Sequence, residues 1–295
     1  MKLRYDPYHV FRFSKTPAGL YARQKWLGEA ETDRWKIDFK ETVAALLADQ
    51  LPDGSWSCSS IKTIKCLFGL HLTVRSSTAQ IDAALAWLLG KIDLQAEKIH
   101  VGVEDVTAVA PSEGLPFIKS RPDMFLTGAT LFLSSIFGRQ SDPDVLALYQ
   151  RLNEEGIKNK GRWFDEASTH NVFRAMVVHP VFAKNKATAL AVEHLAVLQT
   201  DTGAWDHDLP FYQTLNALAH LDLHQAEIQL EKAFGLLFEN QNSDGTWSLD
   251  EPDMLKSFGF SKWRHSQVVR QRIANPLSPG STPGAASRIL LLTDH

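Results

Sequence analysis

The chain has 295 residues, of which 44% are hydrophobic and 16 are phenylalanine, so one large core can be buried. A formal net charge of −3 without a basic run gives no electrostatic basis for nucleic-acid binding. Cys58 and Cys66 lie too far apart along one predicted helical segment to bridge, and there is neither a signal-like segment nor an apolar run of about 18 residues. A reduced, cytoplasmic protein is therefore expected.

Residues 1–35 carry Tyr5, Tyr8, Phe11, Phe13, Tyr21 and Trp26, too aromatic for a disordered tail; this segment is expected to pack on a single domain spanning 36–295. Within that domain one phrase recurs: Leu46…Gln50…Gly54-Ser55-Trp56, Leu195…Gln199…Gly203-Ala204-Trp205 and Leu237…Gln241…Gly245-Thr246-Trp247, all Leu-x3-Gln-x3-Gly-x-Trp. A weaker copy, Gly161-Arg162-Trp163, lies 42 residues before Trp205, which lies 42 before Trp247. That period is the length of a helical hairpin.

Helical periodicity precedes each Gln, as at Val43, Leu46 and Leu47, so each Gly-x-Trp reads as a turn between helices. The glycine suits a left-handed conformation, the indole covers the turn, and the Gln can satisfy backbone groups at a helix end. More apolar helices follow the turns, at Ile61–Leu72, Val172–Val178 and Leu215–Leu221. A half-polar helix at Ala83–Leu89 and an apolar one at Met124–Phe137 fit the same alternation, with an insertion at 93–121 in place of their turn. That insertion ends in Pro111-Ser112-Glu113-Gly114-Leu115-Pro116, the composition of a lid loop. The pattern predicts an all-α fold: an α/α toroid of about five or six hairpins, with a last helix near Arg288–Leu292. An open solenoid is the alternative.

These repeats resemble the glutamine-tryptophan repeats of the terpenoid cyclase and squalene-hopene cyclase superfamily, whose α-barrel is shared with protein prenyltransferase β-subunits. Gln50-Leu51-Pro52-Asp53-Gly54-Ser55-Trp56 is similar to the repeats of class II diterpene cyclases. The resemblance implies an apolar cavity for an isoprenoid and, in class II enzymes, a protonated carboxylic acid from an Asp-x-Asp-Asp-Thr-Ala motif. The matching stretch here is Asp165-Glu166-Ala167-Ser168-Thr169-His170, which keeps the first Asp and the Thr but places Ala167 where the acid belongs.

The resemblance thus directs attention to Asp165 and Glu166 as relocated acids, with His170 one turn on as a supporting base or hydrogen-bond partner. Helix capping by Asp165 and Ser168, with Glu166 in the first turn, is the structural alternative. Asp206-His207-Asp208 is a second candidate acid/base cluster at a helix start, for which capping is the preferred structural alternative. Glu104-Asp105-Val106-Thr107-Ala108 lacks a preceding turn, and Asp123 reads as a cap. Phe125, Phe173, Phe211 and Tyr212 are the aromatics expected to face a substrate and stabilise a carbocation.

No metal and no cofactor is expected: the cysteines lack the prenyltransferase Asp-x-Cys context, and no Asp-Asp-x-x-Asp diphosphate clamp is present. Nucleophile-elbow, phosphate-loop and dinucleotide motifs are absent. The expected partner is an isoprenoid or similar lipid, with peripheral membrane contact open and the oligomeric state undetermined. Two functions follow: a noncanonical single-domain cyclase or isomerase that protonates an isoprenoid, or a non-catalytic binding or scaffold protein of the same fold.

Overall fold

The computed structural model describes residues 4–94, 100–101, 115–207, 209–243 and 245. Among them are ten α-helices, with two short strands and the isolated bridges Gln50–Trp56 and Gln199–Trp205 as the extended pairing, so the chain is all-α. Asp208, Trp247, the Glu104–Ala108 fragment and the expected last helix lie outside the described residues. The chain divides into two compact units, Phe13–Ala191 and Met1–Arg12 together with Val192–His295, the division falling inside α8 (Lys186–Leu198).

The larger unit holds α1 (Pro17–Trp26), α2 (Asp33–Leu47), α3 (Ser60–Thr73), α4 (Ala79–Leu89), α5 (Pro122–Ile136), α6 (Pro143–Lys158) and α7 (Glu166–Val178). Side-chain oxygens start several of them: Thr16 accepts from Gly19 N, Thr32 from Trp35 N, Ser59 from Lys62 N and Thr78 from Ile81 N. Proline opens α1, α5 and α6, where its missing N–H costs nothing. Helix α3 packs between α1 and α5, and α5 packs on α7, while α2, α4 and α6 lie against these helices. Twelve of the 15 residues of α5 are buried but only four of the 11 of α4, which is the alternation of apolar and half-polar helices read from the pattern. From the insertion, β1 (Ile92–Asp93) pairs antiparallel with β2 (His100–Val101).

Helix α1 is fastened by charge as well as by packing. Arg23, fully buried, donates to Asp38 at 2.8 Å and to Glu29 at 2.7 Å, and Lys15 reaches Asp38 at 2.9 Å. Lys15 and Arg23 together hold the Asp38 carboxyl below the ordinary carboxylate range. Trp35 Nε1 adds a bond to Leu20 O at 3.1 Å.

The repeated turn has a common design. Gln50 Nε2 donates to Gly54 O at 2.9 Å within its own turn and to Gln80 O at 2.8 Å on α4. The glutamine therefore does more than finish its own helix: it ties the turn to the helix of the following hairpin. Gly54 has φ +92°, and a Cβ there would stand 2.5 Å from the Ala83 carbonyl, so both conformation and close approach demand glycine.

In the smaller unit, which holds α9 (Phe211–Ala219) and α10 (His224–Glu239), Gln199 Nε2 bonds Gly203 O at 3.1 Å and Gln229 O at 2.8 Å on α10. The third copy uses another part of the chain for the same purpose. Gln241 Nε2 donates to Gly245 O at 3.2 Å and to Tyr5 O at 3.0 Å, and its Oε1 accepts from Arg4 N and Tyr5 N at 3.1 and 3.2 Å. Gly245 lies against the backbone of Asp6, as Gly54 does against Ala83. The amino-terminal strand of residues thus occupies, on the third turn, the place that an ensuing helix takes on the first two.

Replacing Gln199 by Ala leaves the Gly203 and Gln229 carbonyls without that donor. The expected cost is about 1–3 kcal/mol, read as a lower denaturation midpoint, whereas Val197→Ala, at a residue 82% exposed, changes stability by less than about 0.5 kcal/mol.

Candidate functional site

The start of α7 carries the acid-motif resemblance, and Trp163, Asp165, Glu166 and Thr169 each have a local partner there. Trp163 N donates to Thr169 Oγ1 at 2.8 Å, and the indole Nε1 donates to Leu152 O at 2.8 Å. Asp165, exposed, accepts from Ser168 N at 2.7 Å as the N-cap. Glu166 forms an ion pair with Arg162 at 3.2 Å. A carboxylic acid that protonates an alkene must sit in apolar surroundings; Asp165 is solvated and Glu166 is neutralised by a cation, so neither has the environment the catalytic expectation required.

The same arrangement recurs at α3, where nothing resembles an acid motif. Ser59 is the N-cap of α3, and Thr63, four residues on, accepts from Trp56 N at 3.1 Å. Asp165 and Thr169 have the same spacing and the same partners. The two motif positions kept at α7 therefore do the same structural work as their counterparts at α3.

Asn171 supplies what sequence reasoning missed. Its Oδ1 accepts from Ile118 N at 3.0 Å, and its Nδ2 donates to Ile118 O at 2.8 Å and to Ser120 Oγ at 2.9 Å. His170 hydrogen-bonds the carbonyl of Pro116; Nε2 is buried with no partner among the described residues, so the donor is Nδ1–H. The end of the insertion is thus clamped on α7, and the buried Phe117 meets Phe125 and Phe132 edge-on with centroids 6.1 and 5.4 Å apart. Phe68 of α3 lies 6.4 Å from Phe132, over which the buried Arg174 guanidinium stands at 5.6 Å. A buried Asn in a helix interior was the available signal, although its partners 53 residues away were not legible.

Electrostatics determine what His170 can do. Burial, reinforced by Arg174, pushes its pKa down to about 3, and burial lowers Arg174 to about 10. His170 is a neutral hydrogen-bond donor at ordinary pH, too weak a base to take a proton efficiently.

Asp123, expected as a cap, is buried and receives a two-pronged bond from Arg121 at 3.1 and 2.8 Å, besides accepting from Met124 N at 2.9 Å. Arg121 also stacks 3.6 Å above the exposed Phe164 ring. Among the expected aromatics, Phe125 and Phe173 are buried in the larger unit. In the smaller unit Phe211 and Tyr212 are buried, with Phe211 5.8 Å from Trp205 and 5.1 Å from Tyr212; burial raises the Tyr212 phenol. Asp206 and His207 are exposed, and His207 has φ +61°. No helix among the described residues is long and apolar enough to cross a membrane.

No family model and no curated protein matches the chain. A solved structure of a protein from Actinoplanes is similar, with TM-score 0.51 and 16% identity, covering 79% of this chain and 72% of that one. At that identity the likeness concerns the fold alone.

The depressed His170 pKa has a signed consequence. The group favours folding fully above its ordinary value of 6.5, and that contribution is lost as pH falls from 6.5 toward about 3, because the unfolded chain takes up the proton first. Chemical denaturation from pH 7 to 4 should show stability falling with pH, and His170→Gln should reduce that slope by up to about 1.4 kcal/mol per pH unit.

Proposed function

We propose that this protein is an α/α toroid of the terpenoid-cyclase type that holds an isoprenoid or comparable lipid without cyclising it. The supporting observation is the reuse of Asp165 and Thr169 in the cap and turn bonds that Ser59 and Thr63 make at α3, with Ala167 at the acid position. A lineage that keeps the structural members of the motif while lacking the acid retains the hairpin and loses the proton donor.

Support for a ring comes from the smaller unit, where Arg4 to Asp6 receive the third turn as α10 receives the second. Phe68, Phe117, Phe125 and Phe132 pack on one another as an apolar aromatic group, the kind of contact that a hydrocarbon chain would share. Two free thiols, Cys58 and Cys66, fit a cytoplasmic location.

The test is incubation of the purified chain with linear polyprenyl diphosphates, polyprenols and squalene, followed by native and extract mass spectrometry. Saturable retention of an unchanged lipid is expected. A cyclised or isomerised product that disappears in Asp165→Ala, Glu166→Ala or Asp208→Ala would restore the cyclase reading, and failure to bind any of these lipids would remove the ligand class.

A further inference from the structure

A groove of about 410 Å³ opens in the larger unit between α4, the C-terminal turn of α5 and the first turn of α6. It is separate from the start of α7: Asp123 and Ser134, near opposite ends of α5, are about 16 Å apart along the helix axis. One wall is hydrocarbon, from Leu85, Leu89 and Val145. The polar side holds three carboxylates, Asp82, Asp142 and Asp144, and one cation, Arg139.

The cation is already committed. Arg139 Nη1 meets Asp82 at 2.8 Å, and its Nε and Nη2 both meet Asp142 at 2.7 Å. Asp82 also accepts from Ser77 Oγ at 2.5 Å. One guanidinium bridges two carboxylates, and the exposed Asp144 adds a third, so the groove carries an excess of negative charge. A second observation is independent of that charge: Ser134, only 2% exposed, lines the groove, and its hydroxyl meets no hydrogen-bond partner among the described residues.

The volume falls in the range of small-molecule sites, and such sites combine an apolar wall with a few oriented polar groups. A bare metal ion would have to compete with Arg139 for two of the three carboxylates. An organic cation uses what is left over: the charge of Asp144, the Ser134 hydroxyl and the hydrocarbon wall. We propose that this groove binds a small organic cation, a primary ammonium on a short apolar chain, with the ammonium facing Asp144 and Ser134 and the chain lying along Leu85, Leu89 and Val145.

Calorimetric titration of the full chain at low salt with n-hexylammonium, n-hexanoate and 1-hexanol tests this, repeated with Asp144→Asn and Asp144→Glu. Hexylammonium should bind saturably, with affinity reduced about tenfold by Asp144→Asn and by added salt, and kept by Asp144→Glu. Thermal melts of both variants check that the exposed substitution leaves the fold intact. Equal binding of hexanoate or hexanol, an unaltered affinity in a folded Asp144→Asn variant, or no saturable binding of hexylammonium would each overturn the proposal.

Discussion

The side-chain amide of the repeat glutamine is the interaction on which the remaining structure depends. A helical hairpin cannot bury its apolar face alone, so each hairpin must be registered against its neighbour. Gln50 and Gln199 achieve this by donating at once to a glycine carbonyl in their own turn and to a helical carbonyl 30 residues onward. The glycine lets that neighbouring backbone approach, and the indole seals the turn. Because the same bonds recur at Gln241 with Tyr5 as partner, the two termini of the described chain meet through the device that joins adjacent hairpins.

This constraint also accounts for the residues around the acid-like motif. At two turns an oxygen starts the next helix and a hydroxyl holds the Trp amide: Asp165 and Thr169 provide them at α7, Ser59 and Thr63 at α3. An N-cap carboxylate spends an oxygen on a backbone N–H of the helix it starts, here Ser168 N. His170 and Asn171 are likewise spent on the backbone at Pro116 and Ile118, where they attach the insertion to α7.

The fold was readable where its causes are local. The alternation of α4 with α5, and the left-handed Gly54, Gly203 and Gly245, follow from periodicity and turn chemistry over a few residues. The partners of the glutamines were not readable, since Gln80 and Gln229 lie a hairpin away and Tyr5 lies 236 residues away. At the candidate site the difficulty was chemical. Aspartate at a helix start is equally at home as a cap or an acid, and only burial and partners distinguish the two. Asp165 turned out exposed and bonded to Ser168 N, while the buried ionisable groups, His170 and Arg174, sit one and two turns further along α7.

The central claim is that Asp165 serves the fold and not a reaction, and the unfolding free energy of Asp165→Ala tests it most directly. Loss of an N-cap should destabilise the protein by about 1 kcal/mol while lipid retention is unchanged. A variant as stable as the parent or more so, with turnover or retention of an isoprenoid abolished, would contradict the account, because removal of an active-site acid relieves strain where removal of a cap creates it.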